Sequence, residues 1–282
     1  MSLRRSCPLL GAVDSDTLRV EWEGTARAVR LIDVDPESAT AGGAKPCTAF
    51  GRRTLRWIKE AYLPDVTEVL LEFPADETSV SNSGKLLCYV FVRGDNFNVR
   101  LVREGWSPVF QKYGAPRLHR CEMEDAELRA RMEGRGIWGG QGGRGDYAAL
   151  KSYWQLRAGQ ISCFRLANAM GEDILNCRLH YPDIVGVARA KRVGNFFVEL
   201  VRAFHRPDNG VIIQLGSPAQ PFTAFFPPTA RDLAGFLERE FMGFGRPNYV
   251  YVSAQASLNG EYPQVVIEHA EQVTTCPPNT LK

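Results

Sequence analysis

Residues 30–37 read Arg30-Leu31-Ile32-Asp33-Val34-Asp35-Pro36-Glu37. Leu31, Ile32 and Val34 give the segment the apolar, β-branched character of a strand, and Pro36, which cannot donate to a ladder, ends it. Arg30 and Asp35 are five positions apart, so on a regular strand they point to opposite faces. Their convergence requires a bend near Val34, and Pro36 is placed to provide it.

Upstream, Leu18, Val20 and Trp22 alternate with Arg19, Glu21 and Glu23. Gly24 then permits a turn into Ala28-Val29-Arg30-Leu31-Ile32, which predicts a β-hairpin. Downstream, Leu55, Ile58 and Tyr62 recur at helical spacing within residues 48–63, while Arg52, Arg53, Arg56, Lys59 and Glu60 cover the opposite, solvated side. Strands are predicted over 68–73 and 86–92, separated by a polar loop over 76–84. A helix over 98–104 stopping at Gly105 and a charged helix over 118–133 closed by Gly134 follow.

Residues 139–145 hold five glycines in seven positions. Backbone entropy keeps such a run out of regular elements, so it reads as a flexible joint, with Arg144 an ordinary linker residue and an RGG-like binding role the alternative. The expected organisation is a domain over 10–139, a glycine-rich linker over 140–146 and a second, strand-rich domain over 147–276. In that second domain a helix is predicted over 146–156. Strands are expected at 161–166, 184–190, 196–201, 211–215 and 222–226, then a helix over 230–241 and strands at 249–256 and 264–268. A helix placed before the last strands, with the Asn259-Gly260 turn, resembles the layout of an OB-fold.

Composition bounds the rest. The chain has 282 residues, 44% hydrophobic and 23% charged, which suits a soluble globular protein of one large or two smaller cores. No stretch approaches the ~20 apolar residues of a membrane span. Lys plus Arg exceed Asp plus Glu by 34 to 32, so any basic surface is local. Met1-Ser2-Leu3-Arg4-Arg5 has charge but no apolar run behind it; the compartment stays open, with export the expectation if a signal peptide was removed. Seven scattered cysteines with no CxxC pair, and four histidines, argue against a zinc site. They read as buried or idle thiols, with a Cys47–Cys121 disulfide an alternative in an exported protein.

Five segments in order carry the functional signal: Asp14-Ser15-Asp16-Thr17, the 30–37 stretch, Gly84-Lys85-Leu86 running into Tyr89-Val90-Phe91, residues 98–105, and Gly136-Ile137-Trp138. Together, over residues 13–138, they resemble a staphylococcal nuclease domain. The resemblance implies an OB-type barrel with three helices and a calcium-dependent phosphodiesterase site. With the second half, the expected fold is α+β, mainly β with helices: two OB-fold-like five-stranded barrels, the first of staphylococcal-nuclease type.

By the same resemblance Asp16 and Asp35 fall on the calcium-binding aspartates, and Asp14 on the first aspartate of the hairpin motif. Arg30 falls on a phosphate-binding arginine and Lys85 on the position of a second. Glu37, with a one-residue gap, falls on the general base, although Ser38 is the alternative occupant of that position. The residue types suit the reaction. Calcium takes carboxylate oxygens, arginine grips phosphate with a planar fork, and a glutamate can take a proton from water. Three departures stand out. Asp35 is followed directly by Pro36, so the threonine that follows this aspartate in the family is missing. Lysine stands for arginine at 85, and Ser15 replaces a glycine, which is strained if that turn needs positive φ. Tyr89 and Trp106 read as packing residues, with stacking on a base the alternative.

Three functional classes follow. One is a metal-dependent nuclease acting on single-stranded DNA or RNA. The second is a nucleic-acid-binding module whose hydrolytic site has decayed. The third is a protein-interaction scaffold.

Overall fold

The computed structural model describes residues 2–42, 45–74, 79–81, 83–217 and 220–278. The chain divides into two compact units, residues 1–111 with 115–151, and residues 112–114 with 152–282. The glycine-rich 139–145 segment belongs to the first unit. Among the described residues no helix is long and apolar enough to cross a membrane.

The first unit begins with a strand whose alternation is hidden by Pro8, Gly11 and the charged pair Arg4-Arg5: β1 (Leu3–Asp14). β2 (Thr17–Trp22) and β3 (Thr25–Leu31) form the expected hairpin. α1 (Ala49–Trp57) follows, prolonged by a π-helical turn (Ile58–Tyr62), then β4 (Glu68–Phe73), β5 (Leu86–Val92) and the short β6 (Asp95–Asn96). Helices α2 (Phe97–Arg103) and α3 (Arg120–Met132) come next.

The barrel closes because β1 serves two partners. Leu3 to Pro8 pair with β4, and from Leu9 to Asp14, across two bulges, the strand pairs with β2. β3 completes the ring by a parallel pairing with β5, so the circuit is β1-β2-β3-β5-β4 and back to β1. Inward positions such as Leu18, Val20, Val29, Leu31, Leu71, Leu86, Cys88 and Val90 form its core, packed against Phe97, Leu101 and Val102 of α2.

The second unit repeats this circuit. Its strands are β7 (Ile174–Asn176), β8 (Val193–His205), β9 (Val211–Leu215), β10 (Thr223–Phe226), β11 (Tyr249–Asn259), β12 (Tyr262–Val266) and β13 (Val273–Thr274). The long β8 pairs with β11 along its first half and, past a bulge, with β9 along its second. The ring runs β8-β9-β10-β12-β11 and returns to β8, with β10 and β12 parallel. Both units are therefore closed five-stranded barrels of one connectivity, the OB type. Each places a helix between its third and fourth ring strands, α1 in the first and α6 (Arg231–Phe241) in the second.

Two strands expected in the second half are helices. Residues 161–166 belong to α4 (Tyr147–Ala169), where Trp154, Ala158, Ile161, Phe164 and Ala167 are buried at helical spacing. Residues 184–190 lie largely in α5 (Tyr181–Arg189), which Pro182 starts in its first turn and which buries Ile184 and Ala188, four apart. Short apolar runs do not distinguish strand from helix by periodicity, and both segments are of that kind. The seven cysteines are all free thiols. Cys47 donates its Sγ–H to the Ala39 carbonyl at 3.1 Å, so the Cys47–Cys121 pairing does not form.

Candidate functional site

The site lies at one end of the first barrel, where the β1–β2 turn, the end of β3 and the loop after it meet. Antiparallel pairing sets Thr17 opposite Arg30, and the Leu31 amide donates to the Asp16 carbonyl at 3.0 Å, so Asp16 and Arg30 are held as neighbours by backbone alone. The bend that returns Asp35 comes one residue before Val34. Asp33 adopts φ of 56°, a left-handed conformation that aspartate tolerates better than most residues. The Asp33 carbonyl accepts from the Phe110 amide, Val34 bridges to Val109, and the Asp35 amide donates to Ser107 Oγ at 2.8 Å.

The acidic pair is buried, with Asp16 3% and Asp35 4% exposed. Buried charges need partners, and here the chain supplies three cations. Lys45 Nζ donates to Asp16 Oδ2 at 2.7 Å, to Asp35 Oδ1 at 3.1 Å and to the Pro36 carbonyl at 2.8 Å. Arg30 Nη2 lies 3.0 Å from Asp16 Oδ2, and Arg144 Nη1 pairs with Asp35 Oδ2. Thr17 Oγ1 donates to the remaining Asp16 oxygen at 2.8 Å. Burial pushes the Asp16 pKa up, but the charges of Lys45 and Arg30 and these hydrogen bonds outweigh it and hold the carboxyl below the usual range.

Glu37 is fully buried. Its Oε1 accepts from the Gly143 amide at 2.6 Å, the Arg144 amide at 3.1 Å and the Tyr147 hydroxyl, and its Oε2 accepts from Thr48 Oγ1. Thr48 is also the N-cap of α1, where its side chain accepts from the Gly51 amide at 2.9 Å. The carboxylate therefore ties the glycine-rich segment and the start of α4 to the start of α1. Ser38, the alternative occupant, donates its hydroxyl to Asp14 Oδ2 at 2.7 Å.

Asp14 is taken up by its own chain. It accepts from the Ser15 and Ala39 amides at 2.8 and 2.7 Å and from the Ser38 and Thr40 hydroxyls at 2.7 and 2.8 Å. Against a raising contribution from burial, these bonds lower its pKa. Ser15 is not among the residues with positive φ, so its replacement of glycine is unstrained, and its hydroxyl donates to the Glu37 carbonyl. Lys85 immediately precedes β5, whose Leu86 pairs with Val29 and Leu87 with Arg30. Its half-exposed side chain has no acidic partner among the described residues. Tyr89 is buried, with its hydroxyl bonded to Asp33 and to the Leu118 carbonyl, and Trp106 packs at tilted angles against Phe50 and Trp57.

The structure thus brings Asp16, Arg30 and Asp35 together, sets Glu37 and Asp14 beside them as bonded supports, and leaves Lys85 at the β5 edge. Lys45, Arg144, Thr48 and Tyr147 join the site without having been expected there. The one sequence signal for Arg144 is a charge inside a glycine run. Lys45 shows itself only as the single cation of the 39–48 loop.

A calcium ion would have to draw on this donor set. Two carboxylates and a carbonyl are the hard oxygens such an ion takes, but all three already lie on the Lys45 ammonium, and two guanidiniums add further positive charge. As they stand, the residues do not fit a divalent ion. Among the described residues no group of three or more His, Cys, Asp or Glu side chains is arranged to hold a metal.

Comparison with known proteins agrees with the barrel. The family described as "Staphylococcal nuclease homologue" matches residues 28–140. The thermonuclease of Staphylococcus intermedius is 27% identical over 128 residues, covering 45% of this chain and 71% of that protein. The SPbeta prophage-derived endonuclease YokF of Bacillus subtilis (strain 168) is 28% identical over 132 residues, covering 46% of this chain and 43% of that protein. With the closed barrel, the ordered motifs and these matches in hand, the N-terminal half of the chain is a staphylococcal-nuclease-like domain.

Proposed function

We propose that the nuclease-like domain binds the phosphate backbone of single-stranded nucleic acid and does not hydrolyse it by the calcium-and-glutamate route. The observation that carries this reading is Glu37. A general base must reach a water molecule, whereas this carboxylate is fully buried and accepts four hydrogen bonds from Thr48, Gly143, Arg144 and Tyr147. Phosphate recognition rests on Arg30, whose side chain is about one-third exposed, with Lys85 two residues before its β5 partner Leu87 on the same face of the parallel β3–β5 seam.

A second reading, calcium-dependent phosphodiester hydrolysis, is favoured by the nuclease relatives and by the pairing of Arg30 with Asp16. In it Arg30, Glu37 and Lys85 are catalytic and Asp14, Asp16 and Asp35 surround the ion. One experiment separates the two: fluorescence anisotropy and gel analysis of labelled single-stranded DNA and RNA with the purified chain, in calcium and in chelator. Binding that persists in chelator, with the oligonucleotide left intact in calcium, supports the first reading. Calcium-stimulated cleavage that Arg30→Ala abolishes establishes the second.

A further inference from the structure

We infer that the Lys45 ammonium is the resident cation of the acidic corner and occupies the place that a divalent ion takes in a hydrolytic site of this kind. An ammonium has three N–H donors and no acceptor. Lys45 gives one to Asp16 Oδ2, one to Asp35 Oδ1 and one to the Pro36 carbonyl, at 2.7, 3.1 and 2.8 Å. Its donor capacity is filled by oxygens from three residues, two of them buried carboxylates that the ammonium links directly.

The loop that delivers Lys45 is closed at its base. The Thr48 amide donates to the Ser38 carbonyl at 3.0 Å, and Ser38 bridges Cys47. The ammonium is therefore a tethered ligand with a high effective concentration, against which an ion from solution must compete. Charge favours the lysine as well. With Arg30 on Asp16 and Arg144 on Asp35, the two carboxylates are already matched by guanidiniums, so a divalent ion in place of Lys45 would bring a second unit of unmatched positive charge where the ammonium brings one. The third acceptor, the Pro36 carbonyl, belongs to the residue directly after Asp35.

The inference shares its site with the proposed function, but its test contains no nucleic acid, so either can fail without the other. The full chain is acetylated with an amine-reactive ester, and each lysine is followed by peptide mass spectrometry in millimolar calcium and in chelator. Lys45 is expected to react about tenfold more slowly than Lys85, since its three donors are engaged, and at a rate indifferent to calcium. Equal rates for the two lysines, or a Lys45 rate that rises with calcium, overturns the inference. A second arm uses Lys45→Met combined with Arg144→Met. Calcium raises the melting temperature of this variant and leaves that of the wild type unmoved. A folded variant that ignores calcium, or a wild type that calcium stabilises, overturns the inference. If the variant does not fold, the labelling of the wild type decides alone.

Discussion

The Tyr147 hydroxyl donates to Oε1 of Glu37, 110 residues earlier in the chain, and the carboxylate it meets is fully buried. Burial, then the hydrogen bond and charge of Glu37, push the Tyr147 pKa upward. The pair fastens the first residue of α4 to the loop after β3. Replacing Glu37 by Ala leaves the Gly143 and Arg144 amides and two hydroxyls without their acceptor. Each orphaned buried group costs ~1–3 kcal/mol, so a loss of about 3 kcal/mol or more is expected in urea unfolding. Glu37→Gln, which keeps one acceptor oxygen, should lose less. A Glu37→Ala protein of wild-type stability would remove the supporting role, and with it the main reason for withholding the general-base role.

That relationship also marks what the sequence could disclose. The barrel strands with clean alternation, β2 and β3, and the apolar runs of β4 and β5 are legible because local pattern and global position agree. β1 is not, because Pro8, Gly11 and two arginines interrupt the alternation of a strand that turns between two partners. In the site, Asp16, Arg30 and Asp35 are legible because they sit on or beside strands in family order. Lys45 and Arg144 are not. Both lie in loops rich in small residues, where nothing local marks a contact with a carboxylate 10 or 109 positions away. The glycines of 139–145, read as freedom, here let the Gly143 amide approach Glu37 within 2.6 Å.

Gly51 is a second point where backbone meets backbone. A Cβ built there lies 2.1 Å from the Ser38 carbonyl oxygen and 2.5 Å from its carbon. Helix propensity alone predicts that Gly51→Ala gains ~1 kcal/mol. The clash is with backbone that cannot rotate aside, so the first turn of α1 must move and take the Thr48 cap with it. Gly51→Ala is expected to lose at least ~2 kcal/mol net, on the scale of an overpacked core. A stabilised variant, measured by thermal or urea unfolding, would show that α1 does not press on the loop as described.

Acid should destabilise the first barrel. The carboxyls of Asp14 and Asp16 lie below their ordinary value of 3.8, and that of Glu72, bonded to His119 and Arg4, lies below 4.5. A depressed carboxyl contributes stability above its unfolded pKa and loses it as the pH falls through the folded one. The urea midpoint is therefore expected to hold through mildly acid pH and to fall below about pH 4. Asp14→Asn, which cannot accept the four bonds from residues 15 and 38–40 as a carboxylate does, should be less stable at neutral pH and show a shallower acid limb. An unchanged limb would move the acid sensitivity away from Asp14.

Nucleic-acid binding through the β3–β5 seam makes a prediction in salt. Each phosphate neutralised on a single strand contributes roughly 0.7 to the slope of log affinity against log salt. Arg30→Ala and Lys85→Ala should each flatten that slope by about this amount and weaken binding to all sequences alike, because phosphate contacts position the strand without reading its bases. Arg30→Ala leaves Asp16 its bonds to Lys45 and Thr17, so folding should survive and the loss can be read as lost contact. Lys85→Arg restores a two-donor fork at the position and is expected to bind at least as tightly as the wild type. Arg19→Ala, an exposed change on β2, serves as the control that lowers net charge equally. If Arg19→Ala flattens the slope as much as Arg30→Ala does, the domain holds nucleic acid by diffuse charge and the β3–β5 seam is not its phosphate site.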